Sequence, residues 1–126
     1  MIVLDASALL AFLFREPGHE TVERYIEESC ISTVNLSEVA GRLIRDGIEA
    51  APLMQQITET AIDIVPFTQE HAVQAATFIP NTQRYGLSFA DRACLGLARE
   101  RQLPVLTADI AWSELNNIGI EIIQIR

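Results

Sequence analysis

A chain of 126 residues with 17 acidic side chains against nine arginines and no lysine carries a formal charge of −8, so it lacks the broad basic surface on which phosphate binding ordinarily rests. With 49% hydrophobic residues it is not a disordered chain, and its length suits one domain, residues 1–126, able to bury about two thirds of its unfolded surface. No apolar run approaches the roughly 18 residues of a membrane span.

In chain order, residues 2–5 read as a strand and 7–14 as a short helix stopped before Pro17-Gly18. No charged segment precedes Met1-Ile2-Val3-Leu4, so no signal peptide is expected. Residues 20–28 read as a helix and 30–33 as a short strand. Residues 35–45 form a clear amphipathic helix, with Leu36, Val39, Ala40, Leu43 and Ile44 at helical spacing and Gly47 ending it. A helix over 53–60, a strand over 62–65 and a helix over 69–78 follow. Residues 80–86 read as a loop, 89–101 as a strong helix, 104–107 as a strand, 111–115 as a short helix and 120–125 as a last strand. This alternation implies βαβ units and a largely parallel sheet. Cys30 and Cys94, far apart in apolar segments, are expected to be buried free thiols in a reducing cytoplasm. His19 and His71 fall at apparent loop–helix boundaries, and Trp112 is expected to pack in the core.

Three strands run into polar residues: Asp5, then Thr33-Val34-Asn35, then Thr107-Ala108-Asp109. In a parallel sheet these ends share one edge, and ligands bind in the crevice outside it. Helix N-termini point there too, so Asp5, Glu38, Asp91 and Asp109 should converge. Each has an ordinary explanation. Ser88-Phe89-Ala90-Asp91 matches a capping box, Asn35-Leu36-Ser37-Glu38 has the same layout, and Asp5 and Asp109 are placed to cap the helices that follow. Glu38 is also spaced to pair with Arg42. Capping alone does not account for four acids on one edge, because two carboxylates about 4 Å apart repel by roughly 4 kcal/mol at an effective dielectric near 20. Oxygen donors without a His or Cys cluster suit a hard cation, Mg²⁺ or Mn²⁺. Such a site supports phosphodiester hydrolysis. Ser7, Ser88 and Thr107 would then be the donors that orient the carboxylates.

Ile2-Val3-Leu4-Asp5-Ala6-Ser7-Ala8-Leu9, Asn35-Leu36-Ser37-Glu38-Val39, Leu87-Ser88-Phe89-Ala90-Asp91-Arg92-Ala93-Cys94-Leu95 and Leu106-Thr107-Ala108-Asp109-Ile110-Ala111-Trp112 resemble, in order and spacing, the four motifs of the PIN domain, and in particular those of the VapC-type toxins. The resemblance implies a compact three-layer α/β/α fold and a Mg²⁺- or Mn²⁺-dependent endoribonuclease, with transfer or ribosomal RNA as substrate. It also implies a cytoplasmic homodimer neutralised by a cognate antitoxin, one of whose arginines would suit the acid cluster. Phosphate contact is expected from Arg42, Arg45, Arg84, Arg92 or Arg99. The apolar residues Leu9, Leu10 and Phe12 to Phe14 suit either the core or a partner's helix.

Other readings fit less well. A receiver domain or a haloacid-dehalogenase-like phosphatase also places acids at strand ends, but either leads one to expect a lysine, and the phosphatase pattern wants an acid where Ser7 stands. No glycine-rich phosphate loop ending in lysine is present. The alternative kept open is a catalytically silent PIN-like module that only binds a partner.

Overall fold

The computed structural model describes residues 1–126. Its centre is a five-stranded sheet, β1 (Ile2–Leu4), β2 (Ser29–Ser32), β3 (Asp63–Val65), β4 (Val105–Thr107) and β5 (Ile122–Gln124), all parallel, in the order β3-β2-β1-β4-β5. From β1 the chain runs outward to β2 and β3, then crosses back to β4 on the other side. The carboxyl ends of β1 and β4 therefore flank the switch point where a crevice opens in sheets of this kind.

Seven helices cover both faces: α1 (Ala6–Phe14), α2 (His19–Tyr25), α3 (Thr33–Arg45), α4 (Ala50–Thr58), α5 (Gln69–Thr77), α6 (Ile79–Thr82) and α7 (Phe89–Arg101). The alternation of strand side chains divides the core in two. Ile2 and Leu4 of β1, Ile31 of β2 and Leu106 of β4 pack with Leu9, Val22, Leu43 and Ile57 of α1 to α4. Val3, Cys30 and Val105 point the other way, onto Cys94, Leu95, Leu97 and Ala98 of α7, with Phe78 and Trp112. The expected α/β/α layering is thus present, Trp112 is buried as expected, and both cysteines are buried and unpaired. Helices α5 and α7 touch through Gly96, where a Cβ would come within 3.2 Å of the Ala75 nitrogen and of the His71 carbonyl. No helix is long and apolar enough to cross a membrane.

Several local expectations need correction. Helix α3 starts at Thr33 with Ser32 as its cap, whose hydroxyl accepts from the Val34 amide at 3.2 Å. Asn35 is therefore not a cap but an interior, buried residue. Strand β2 pairs with β3 as far as Ser32, and the backbone turns helical at once. Residues 80–86 are not a plain loop: α6 is followed by a 3₁₀ turn, Gln83–Tyr85. Pro80 is tolerated in a first helical turn, where its missing N–H costs nothing. Residues 26–28 of the expected second helix are 3₁₀, as are residues 110–114. His71 lies inside α5, buried, accepting the Thr68 amide at Nδ1 and facing Glu100 at 2.8 Å through Nε2. His19 is the first residue of α2, between Glu20 and Glu23.

Candidate active site

Asp5 follows β1 directly and is only 4% exposed. One oxygen, Oδ1, caps α1 by accepting the Ala8 amide at 2.8 Å and also accepts the Ser7 hydroxyl at 2.7 Å. The other, Oδ2, accepts the Thr107 hydroxyl at 2.5 Å. Those hydroxyls are themselves fixed: the Ala108 amide donates to Ser7 Oγ at 2.9 Å and the Asp109 amide to Thr107 Oγ1 at 3.0 Å. Ser7 and Thr107 thus lock the Asp5 carboxylate to the end of β4. Burial nonetheless pushes its pKa up to about 6, against the pull of these donors, and the nearby Asp91 charge adds to the rise.

Asp91 occupies the third position of α7. Its Oδ2 accepts the Ser88 amide at 2.9 Å while Ser88 Oγ accepts the Asp91 amide at 3.2 Å, a complete capping box. The serine thus holds Asp91 from both its backbone N–H and its hydroxyl side, and both oppose the rise in the Asp91 pKa. Burial raises the Asp91 pKa, Ser88 opposes this, and Asp109 raises it further. Asp109 is exposed beyond β4 and accepts the Ala111 amide through Oδ1 at 3.0 Å.

Glu38 lies on the exposed side of α3 but does not pair with Arg42, which binds Asp46 at 3.0 Å instead. Its Oε1 accepts from Asn35 Nδ2 at 3.0 Å, and the same nitrogen donates to the Ala90 carbonyl of α7 at 2.9 Å. One buried amide therefore sets the glutamate and ties α3 to the turn that carries Asp91. Partial burial raises the Glu38 pKa, Asn35 opposes it, and Asp91 adds to it. Sequence reasoning read Asn35 as a cap and missed this role. The only available signal was its place on the buried arc, four residues before Val39. Asn35→Ala is expected to cost about 2 kcal/mol, because it removes two hydrogen bonds, to Glu38 and to the Ala90 carbonyl, and leaves a void in a buried position. The check is a lower denaturant midpoint at unchanged m-value.

The four acids line one open cavity of about 250 Å³, together with Ala6, Ser7, Leu10, Arg42 and Arg45. Capping thus describes Asp5, Asp91 and Asp109 correctly, and it occupies only part of each carboxylate. Asp91 Oδ1, Asp109 Oδ2 and Glu38 Oε2 have no donor in the chain, and none of the four acids forms an ion pair. No three of their side chains stand close enough together in this structure to hold one metal ion between them. They ring a space with oxygen atoms and mutual repulsion, a donor set suited to a hard divalent cation.

Of the arginines expected near phosphate, Arg42 and Arg45 line this cavity. The others have different tasks. Arg84 lies over the Tyr85 ring and donates to its hydroxyl. Arg92 donates to the Leu87 carbonyl at 2.9 Å. Arg99 stacks 3.9 Å over Phe78 and binds Thr77 and the Ile118 carbonyl. Each of these three is held by a local acceptor or ring.

Residues 2–118 match the family model of the PIN domain. By sequence, no curated protein matches the chain. Among solved structures, the fold is similar to that of a toxin–antitoxin complex from Klebsiella pneumoniae, at 15% identity and a TM-score of 0.76 over 100% of this chain and 98% of that one. It is also similar to DNA-bound VapBC from Salmonella typhimurium, at 19% identity and a TM-score of 0.74 over the whole of both chains. A third similar structure is the sarcin–ricin loop-cleaving toxin VapC20 of Mycobacterium tuberculosis, at 17% identity and a TM-score of 0.71 over 92% of this chain and 97% of that one.

Proposed function

The chain belongs to the PIN-domain family, and from that premise we propose that it is a metal-dependent endoribonuclease, the toxin of a toxin–antitoxin pair, with Asp5, Glu38, Asp91 and Asp109 as its working residues. The observation that carries this reading is the one cavity that four carboxylates share, none of them in an ion pair, with Arg42 and Arg45 at its wall. Burial raises the pKa of Asp5, Glu38 and Asp91, Asp91 adds to the rise at Asp5 and Glu38, and Asp109 adds to it at Asp91. Asp5, Asp91, Asp109 and Glu38 would hold Mg²⁺ or Mn²⁺, and such an ion supplies charge neutralisation of a phosphodiester and a more acidic attacking water.

The remaining steps fall to side chains. Ser7 and Thr107 keep both Asp5 oxygens aimed from the β1 end. The capping box does the same for Asp91 from α7, and Asn35 for Glu38 from α3. Glu38, exposed on α3, would complete the metal's shell or position the attacking water. Arg42 and Arg45, at the wall of the cavity, supply positive charge for the RNA backbone in a molecule otherwise repelling it. A structured RNA, transfer or ribosomal, is the proposed substrate. A cognate antitoxin is the proposed partner, in line with the similar toxin–antitoxin complexes, and a cytoplasmic homodimer is the proposed working form.

Expressed alone in a bacterial host, the gene should arrest growth, and co-expression of the cognate antitoxin should relieve the arrest. Undiminished growth with the full-length folded protein accumulating would contradict the toxin reading.

A further inference from the structure

Glu38, Gly41, Arg42 and Arg45 recur at intervals of three and four along α3 and so share one face of it. An open recess of about 350 Å³ lies against this face, lined by Glu38, Gly41 and Arg45. Glu38 and Arg45 also line the acid cavity, so the two spaces adjoin. Two features of the recess have no use inside the molecule.

The first is Gly41. Four of the six glycines have positive φ, and Gly96 lets α7 approach α5. Gly41 alone has neither reason: it sits within α3, and a Cβ there would meet nothing within 4 Å. An exposed glycine inside a helix is unfavourable relative to alanine, and here no contact within the chain compensates. The second is Arg45. Of nine arginines in this acidic chain, only Arg15 and Arg45 form neither a hydrogen bond nor an ion pair, and only Arg45 borders the site.

We propose that this recess is a subsite for the RNA strand beside the bond that is cut: the strand passes against bare helix at Gly41, and Arg45 binds the neighbouring phosphodiester. The inference rests on the nuclease reading and adds to it the direction in which substrate leaves the acid cavity. Arg45 lies seven residues along the helix from Glu38, about 10 Å of axial rise, which is the length scale of an adjoining nucleotide. Its planar donors suit a phosphate held at two oxygens. An acidic protein segment would meet the same arginine but would have no use for the adjoining acid cavity.

The test is fluorescence anisotropy of a labelled RNA hairpin with a single-stranded loop of mixed sequence, with Ca²⁺ as the cation and a series of salt concentrations. The full chain is compared with Gly41→Gln, Arg45→Ala and Arg45→Lys, and with Arg15→Ala as control. Arg45→Ala should weaken binding about tenfold, the worth of one charge-assisted hydrogen bond, and flatten the log–log salt slope by about 0.7, one phosphate contact to a single strand. Arg45→Lys should restore the slope and part of the affinity. Gly41→Gln should weaken binding while raising Tm by about 2 °C, since a helix former replaces glycine, so the loss is not one of folding. Binding and slope unchanged by Gly41→Gln and Arg45→Ala overturn the subsite alone, and if those variants lose only the antitoxin, the face belongs to protein. An unsubstituted chain that binds no RNA at any salt overturns the nuclease reading and the subsite with it.

Discussion

Asp5→Asn raises the thermal unfolding midpoint of the metal-free protein by about 10 °C at pH 8, although it removes a residue placed at the centre of the site. The buried carboxylate has a pKa of about 6 in the folded chain against 3.8 for an unperturbed aspartate. Folding therefore takes up a proton in the window between those values. The contribution of this residue to stability is full below pH 3.8, is lost as pH rises through 6, and stays constant beyond it. At about 1.4 kcal/mol for each pKa unit, the ionised carboxylate costs the fold roughly 3 kcal/mol at pH 8. Asparagine carries no charge and fits the same bonds. Its oxygen keeps the Ser7 and Ala8 donors, and its amide donates to Thr107 Oγ1, whose hydrogen turns to Ser7 Oγ at 3.3 Å. Circular dichroism melts in EDTA from pH 4 to pH 8 should show the two proteins converging at the acid end. Added Mn²⁺ should stabilise the parent, by about 2.7 kcal/mol at one hundred times its Kd, and the variant much less. A variant less stable than its parent at pH 8 would mean that three hydrogen bonds already compensate the buried charge.

The second large effect is on turnover. Asp91→Asn should lower the rate of RNA cleavage about a thousandfold, since several kcal/mol of charge stabilisation at the phosphodiester depends on holding the cation. The substitution separates charge from architecture. The asparagine oxygen still accepts the Ser88 amide, so the capping box persists. Asp91→Ala loses that cap as well, and should be less stable than Asp91→Asn by about 1 kcal/mol. Equal rates for parent and Asp91→Asn, with the melting temperature unchanged, would place the chemistry elsewhere.

The frame of this site was legible from local chemistry. Ser88 and Asp91 stand in a capping box whose geometry requires only the four residues themselves, and α7 runs over Phe89–Arg101 as its periodicity indicates. Asp5 and Asp109 end strands of a parallel sheet, and the parallel order alone places them on one edge. What could not be read depends on contacts far apart in the chain or on competition between equals. Ser32 and Asn35 are both good caps, and only the register of β2 against β3 decides that Ser32 serves and Asn35 is drawn inside. The Asn35 link to Ala90 spans 55 residues and the Thr107 link to Asp5 spans 102. Long arginine side chains were least legible, since Arg92 is captured by the Leu87 carbonyl and Arg84 by Tyr85, acceptors that a sequence pattern does not reveal. The Ser7 bond to Asp5 spans only two residues, so its partner lies within the reach of a local pattern.

The measurement closest to the central claim is cleavage of total cellular RNA by the purified chain, free of antitoxin, in Mg²⁺, in Mn²⁺ and in EDTA. Discrete fragments that appear with either ion, vanish in EDTA and return when the ion is restored are the expected result. No cleavage by folded protein with Mn²⁺ demonstrably bound would contradict it, and would leave a PIN-domain module that binds a partner without cutting.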